Sequence, residues 1–192
     1  MLDALEGVGR VDQAVGGEVL KEHKPMVIVV NKWDLALEAL KAGRLEDYDD
    51  EKSFREAFNQ AARAKLFFAA GSPFVYVSAL TGYSIQAMLR TARELDGRLD
   101  TVMPTGRLNQ VIKKLTERRP PPRVDKRRFK IFYAVQTGHR PFRIRLFCNQ
   151  PHRLPESYRR YLESGLVDAF GVDGCPIVFD LVGKDKRYQD KH

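Results

Sequence analysis

Residues 26–30, Met-Val-Ile-Val-Val, carry four consecutive β-branched side chains with no polar position among them. A run of this kind reads as a strand buried on both faces of a parallel sheet, because a half-exposed strand would alternate apolar with polar. It stops at the polar tetrapeptide Asn31-Lys32-Trp33-Asp34. Ahead of it, the polar amphipathic stretch 12–23 predicts a helix closed by Lys24-Pro25. Behind it, 35–66 predicts one or two helices broken near Gly43 and the acidic cluster 46–51, with Ser53 as an N-cap three residues before Glu56. Gly71-Ser72-Pro73 ends that segment, 74–77 is a second short apolar strand, and Ser78-Ala79-Leu80-Thr81-Gly82 leads into a helix over 84–95. Strands alternating with helices predict an α/β fold, a parallel sheet with helices on both faces.

Past Pro104-Thr105-Gly106 the pattern changes, which divides the chain into domains 1–104 and 105–192. Leu108, Val111, Ile112 and Leu115 recur at helical spacing up to Arg118, and Pro120-Pro121-Pro122 stops the helix. Two strands follow, 129–137 and 142–149, joined by a hairpin loop at Gly138-His139-Arg140-Pro141. In the second strand Phe142, Ile144, Leu146 and Cys148 fall on one face and Arg143 and Arg145 on the other. An amphipathic helix over 156–170 ends at Gly171, a natural left-handed stop, and 177–182 is the last strand. The order in this domain is α-β-β-α-β. Tyr158 and Tyr161 are expected to pack on its sheet with Leu162, and residues 184–192 read as a frayed basic tail.

Composition adds limits. A hydrophobic content of 43% over 192 residues is enough to build a core. No run of 18 apolar residues and no signal peptide is present, so neither a membrane span nor export is indicated and the expected compartment is the cytoplasm. Cys148 and Cys175 lie 27 residues apart without a CxxC and read as buried thiols in a reducing compartment. His23, His139, His152 and His192 share no metal-ligand spacing with them. Charge is divided unevenly. Residues 1–104 carry 13 lysines and arginines against 16 acidic residues, net −3, whereas 105–192 carry 20 against 9, net +11. That asymmetry points to a polyanionic partner for the second half, with a basic surface kept for solubility as the alternative.

Ligands of open parallel sheets bind beyond the carboxyl ends of the strands, where both Asn31-Lys32-Trp33-Asp34 and Ser78-Ala79-Leu80-Thr81 fall. The residue types suit guanine. A carboxylate such as Asp34 accepts the paired N1–H and N2–H donors of that base, and repels adenine, which offers an acceptor at N1. The backbone N–H of Ala79 is placed to meet O6, Asn31 to brace the loop or reach N7, and the Lys32 stem to lie along the purine face.

Asn-Lys-Trp-Asp followed by Ser-Ala-Leu-Thr-Gly resembles the fourth and fifth guanine-recognition motifs of small translation-factor-type GTPases. Over essentially the whole chain the sequence resembles the double-Era-like bacterial GTPases of the Der (EngA) family. The resemblance runs through residues 2–8 with Asp12-Gln13, through 27–34, and on to Arg119-Pro120-Pro121-Pro122, 130–136, 157–163 and Gly174-Cys175-Pro176-Ile177. It implies two tandem GTPase domains followed by a KH-like domain, and a role in assembling the large ribosomal subunit.

This chain then corresponds to the last part, a partial P-loop-type GTPase domain followed by the KH-like domain. The implied cofactor is GTP or GDP, with Asn31, Lys32, Asp34, Ser78, Ala79 and Leu80 binding the guanine; the Mg²⁺ of the family has no ligands here. No G-x-x-x-x-G-K-[ST] phosphate loop occurs, so the chain alone is expected not to hydrolyse GTP. The strand at 27–30 is expected to present an apolar edge, its neighbours on one side being reduced to Met1-Leu2-Asp3 or missing, and domain 1–104 to be less stable than 105–192 or to associate through that edge.

KH folds clamp nucleic-acid backbones through a G-x-x-G loop. Gly171-Val172-Asp173-Gly174 has the letters but joins a helix to the final strand, so it reads as a helix stop and turn. Contact with ribosomal RNA falls instead to Arg118, Arg119, Arg123, Lys126, Arg127 and Arg128 around the prolines, to Arg143 and Arg145, and to Arg159 and Arg160. Tyr133, Phe132, Phe147 and Phe179 are the aromatic residues on which bases would stack, most of them expected in the core. A nucleotide-independent module that binds RNA or the ribosome, with a remnant guanine loop, is the competing reading.

Overall fold

A computed structural model describes residues 1–69, 71–124, 127–151 and 154–183. The chain divides into two compact units, Met1–Gly97 and a second from Arg98 onward. Residues 98–104 go with the second unit because its sheet holds them: the Gln136 side chain accepts from Met103 N–H at 2.7 Å and donates to Thr101 O at 3.2 Å, and Arg140 pairs with Asp100 at 2.7 Å.

The first unit contains β1 (Leu2–Asp3), α1 (Arg10–Lys21), β2 (Ile28–Asn31), α2 (Trp33–Lys41), α3 (Glu51–Lys65), β3 (Phe74–Tyr76) and α4 (Ile85–Arg98). The sheet is parallel in the order β1-β2-β3, with Leu2 opposite Val30, and Ile28, Val29 and Val30 opposite Phe74, Val75 and Tyr76. The strand expected to form an edge is therefore central. β1 pairs only with its last two residues, so the unpaired part of that flank is confined to Ile28 and Val29. Ile28 and Val30 are buried while Val29 is half-buried, an alternation that the uniformly apolar letters concealed.

The core of this unit is aromatic and centres on Trp33, which has no exposed surface. Its ring centroid lies 4.4 Å from that of Tyr76 and 5.4 Å from that of Phe54, and the Arg55 guanidinium sits over both Trp33 and Tyr76. Burial pushes the Tyr76 hydroxyl up to about 12. The break near Gly43 is present, Gly43 having φ +66°. Ser53 is not the N-cap of α3. Asp50 is: its carboxylate accepts the Ser53 N–H at 2.7 Å while Ser53 Oγ accepts the Asp50 N–H at 3.2 Å, a reciprocal pair that displaces the start by three residues.

The second unit contains α5 (Thr105–Arg118), a two-residue ribbon of β4 (Arg123–Val124) and β5 (Arg127–Arg128), then β6 (Ile131–His139), β7 (Phe142–Cys148), α6 (Glu156–Phe170) and β8 (Ile177–Gly183). The α-β-β-α-β order holds with the ribbon added. Its sheet is mixed: β6 runs antiparallel to β7, and β7 parallel to β8. Pairing continues to His139 opposite Phe142, which shortens the expected four-residue hairpin loop to Arg140-Pro141.

Ala134, Phe142, Ile144, Leu146 and Cys148 have no exposed surface, and with Leu108, Leu162 and Leu166 they form the core between sheet and helices. Gly165 lies against Leu115, close enough that a Cβ there would come within 2.4 Å of Leu115 Cδ2. Tyr158 and Tyr161 serve the end of α5 as well as the core, their hydroxyls donating to Arg119 O at 2.8 Å and Leu115 O at 2.9 Å. Arg119 O lies past the last helical turn, where carbonyls lack intrahelical donors, and Tyr158 supplies one; Leu115 O, already bonded to the Arg119 N–H at 2.9 Å, takes Tyr161 as a second donor. Gly171 ends α6 with φ +66°, its N–H bonded to Val167 O, so Gly171-Val172-Asp173-Gly174 is the helix stop and turn expected. Cys148 and Cys175 are buried thiols not joined in a disulfide, and burial pushes both up.

Candidate guanine loop and nucleic-acid interface

The tetrapeptide after β2 separates into four roles. Asn31 is the last strand residue. Lys32 takes the left-handed conformation, φ +62° and ψ +34°, and stands as the N-cap of α2. That turn reverses the direction of the chain within one residue, so that Trp33 drops into the core and Asp34 rides on the first helical turn. The sequence reading took all four as a polar loop; the sole tryptophan of the chain at the strand exit was the available sign of an anchor.

Backbone bonds join this turn to the one after β3. Val77 N–H donates to Val30 O at 2.8 Å, and Trp33 N–H to Val77 O at 3.0 Å. Across the same junction Asn31 Oδ1 accepts the Ala79 N–H at 3.0 Å, tying together residues 48 apart in sequence. This bond gives Asn31 the bracing role through its Oδ1. The Ala79 amide expected to meet O6 is thereby engaged, and the Leu80 N–H is left without a partner among the described residues. Ser78 is wholly buried and holds the second loop from within: Oγ accepts Thr81 N–H at 3.1 Å, O accepts Gly82 N–H at 3.0 Å, and N–H donates to Tyr83 O at 3.1 Å. Leu80 stands at the tip, 86% exposed.

Lys32 Nζ reaches Asp3 Oδ2 at 2.6 Å, from the strand paired beside β2. The other Asp3 oxygen accepts the N–H groups of Leu5 and Glu6 at 2.8 and 3.3 Å. The Lys32 ammonium and those two amides hold the Asp3 carboxyl below its usual range. The half-buried Asp34 carboxylate, by contrast, has no hydrogen-bond or ion-pair partner among the described residues. Two acceptor oxygens thus stand open beside a loop braced from both strands. Among the described residues no group of three or more His, Cys, Asp or Glu could hold a metal ion.

On the second unit the arginines behave in three ways. Arg143 and Arg145 lie on the exposed face of β7, as the alternation predicted, but Arg143 pairs with Asp180 at 3.2 Å. Its stem lies over Gly138, where a Cβ would come 3.3 Å from Arg143 Cβ. Arg159 and Arg160 approach Glu156 at 3.6 and 3.3 Å, one carboxylate facing two guanidinium groups. Arg119 lies over the Tyr161 ring at 5.3 Å, and Arg118 and Arg128 are exposed. Arg123 and Arg127 fall in the β4–β5 ribbon, and Lys126 lies outside the described residues. Of the aromatic residues, Phe179 is core and Phe147 half-buried, but Phe132 and Tyr133 are 49% and 46% exposed, more open than expected. Among the described residues no helix is long and apolar enough to cross a membrane.

Residues 103–181 match the family model described as the KH-domain-like C-terminal domain of EngA bacterial GTPase enzymes. The GTPase Der of Desulforamulus reducens is 35% identical over 188 residues, covering 96% of this chain and 40% of that protein. The GTPase Der of Pelotomaculum thermopropionicum is 36% identical over 187 residues, 97% of this chain and 40% of that protein. The chain thus spans about two fifths of the length of the curated relatives it matches. An Era variant of Aquifex aeolicus, solved with GDP and AlF4⁻, aligns at 14% identity over 96% of this chain and 64% of that one with a TM-score of 0.35, too low to carry an argument. The domain matched at 103–181 and the relatives aligned along nearly the full length identify the chain as a sequence of the Der (EngA) family, corresponding to the region that ends in the KH-like domain.

Proposed function

We propose that the first unit reads the base of a guanine nucleotide, GTP or GDP, and that the basic second unit docks on RNA of the large ribosomal subunit. The observation that carries the first half is the open Asp34 carboxylate beside the Asn31 to Ala79 brace. In this reading Asp34 accepts guanine N1–H and N2–H, the Leu80 N–H donates to O6, and the Lys32 stem covers one purine face. Asn31 and Ser78 act by holding the two loops. Ala79 contributes its amide to that brace. Adenine is refused because its N1 would face the carboxylate, acceptor against acceptor.

No phosphoryl-transfer step is assigned to these residues, since none of the sequence reads as a phosphate loop. The second half rests on the net charge of +11 over residues 105–192 and on the exposed Arg118, Arg128 and Arg145.

Calorimetric titration of the chain with GDP, and with ADP as control, tests the nucleotide reading. Guanine-selective binding is expected, and Asp34→Asn should weaken GDP about 10-fold or more while favouring XDP, whose C2 oxygen replaces the amino group. Equal binding of GDP and ADP, or no change at Asp34→Asn, would refute the assignment. Absence of nucleotide binding together with salt-sensitive RNA binding would favour the nucleotide-independent module.

A further inference from the structure

The sheet of the second unit has two unlike faces. One is sealed by α5 and α6, and its residues Phe142, Ile144, Leu146 and Cys148 are fully buried. On the other, register sets the side chains in rows across β6, β7 and β8. One row places Tyr133 beside Phe147 with Val182 beyond; the next places Arg145 between Val135 and Asp180. A bulge between Ile131 and Tyr133 makes Tyr133 the residue opposite Phe147. Tyr133 remains 46% exposed although it lies in the body of a nine-residue strand, and its ring centroid is 6.0 Å from that of Phe147 with planes inclined by 46°.

We propose that this open face binds single-stranded RNA, with bases stacked on Tyr133 and Phe147 and Arg145 meeting the backbone phosphates. The inference rests on the reading of the second unit as an RNA-docking domain and names the form of RNA and the face that takes it. Exposed aromatic rings on a sheet accept only bases that are free to unstack, which a duplex does not offer, because its bases are shut between neighbours. Charge on the face selects a polyanion. Arg145 has no ion-pair partner among the described residues, and Asp180, the acidic residue of the two rows, is taken by Arg143. A protein partner of opposite character would have to place a carboxylate over Arg145 while also covering the rings. A nucleic-acid strand supplies phosphates and π-faces at the spacing of successive nucleotides.

The test is fluorescence anisotropy with a labelled oligouridylate of about ten nucleotides, and a duplex of equal length as control, on the full chain. Tyr133→Leu and Phe147→Leu are each expected to weaken single-strand binding about 5-fold or more, and Tyr133→Phe to bind as the parent does. Arg145→Gln should weaken binding less and lower the slope of log affinity against log salt by about 0.7. The duplex should bind more weakly and ignore Tyr133→Leu. Circular dichroism confirms that each variant is folded.

Parental affinity in folded Tyr133→Leu and Phe147→Leu, with a loss at Arg145→Gln, would overturn the stacking proposal and leave the RNA reading standing. Failure of the parent to bind either RNA would remove both. A parent that sediments as a dimer dissociated by Tyr133→Leu would assign the face to a second copy and overturn the proposal.

Discussion

Trp33 allows a direct test of how the guanine loop is held, because its side chain is fully buried while its neighbours in sequence face outward. Truncation to alanine withdraws the ring from its contacts with Tyr76 and Phe54 and removes the Nε1–H donated to Glu51 Oε1 at 3.1 Å. A tryptophan side chain buries roughly 200 Å², which at about 25 cal/mol per Å² corresponds to about 5 kcal/mol. Measured truncations of large aromatic residues cluster at about 3–5 kcal/mol, so about 4 kcal/mol is expected for Trp33→Ala. Trp33→Phe retains a stacked ring but leaves part of the volume empty and lacks the donor. Glu51 stays partly solvated, so no acceptor is stranded and the loss should be about 1–2 kcal/mol.

Urea unfolding followed by far-UV circular dichroism reads both variants, since the mutation removes the chain's single tryptophan and with it the fluorescence signal. Amide exchange locates the damage. In Trp33→Ala the amides of Val30 and Val77 should exchange about 10³-fold faster, the equivalent of 4 kcal/mol, with Ile144 and Leu146 in the second unit unchanged. An unaltered unfolding midpoint would refute the reasoning. So would an equal loss of protection at Ile144 and Leu146, which would mean that Trp33 does not act through its own unit.

Burial pushes the Glu163 carboxyl up to about 7, with Glu156 adding to the rise and Arg159 and Arg160 opposing it. A folded value above the unfolded one near 4.5 means that the stabilisation from the neutral carboxyl is complete below about pH 4.5 and lost as pH rises through about 7. Glu163→Gln should therefore match the parent at about pH 4 and exceed it by up to about 1 kcal/mol at about pH 8, a reduced figure because the group is partly solvated; a difference that does not vary with pH would contradict this. Gly165→Val places a Cβ within 2.4 Å of Leu115 Cδ2 and 2.6 Å of Cδ1, and should cost about 2–3 kcal/mol in thermal unfolding. Adding Leu115→Ala to Gly165→Val removes the obstacle, so the paired losses should be less than additive; strict additivity would show that the two residues do not meet.

The elements and their order were legible in the sequence because they depend on local spacing. The apolar run at 26–30, the helical recurrence of Leu108, Ile112 and Leu115, and the alternation of Phe142, Ile144, Leu146 and Cys148 each report a period, and a period fixes which side of an element is buried. The Asn-Lys-Trp-Asp and Ser-Ala-Leu-Thr motifs were equally legible as polar breaks at the ends of apolar strands. The N-cap of α3 was missed because Ser53 and Asp50 bond each other, and either end of such a pair suits the same letters.

What the tertiary structure decided is which side chains meet. Asn31 takes the Ala79 amide 48 residues away, Lys32 turns to Asp3, and the Asp34 carboxylate is left without a partner among the described residues. Arg143 is drawn to Asp180 while Arg145, two residues on, is not, and Tyr133 stays exposed beside Phe147. Periodicity along the chain carries no information about these pairings. They depend on the register between strands distant in sequence, and on a buried tryptophan whose place in the core is fixed only when α3 and β3 close over it.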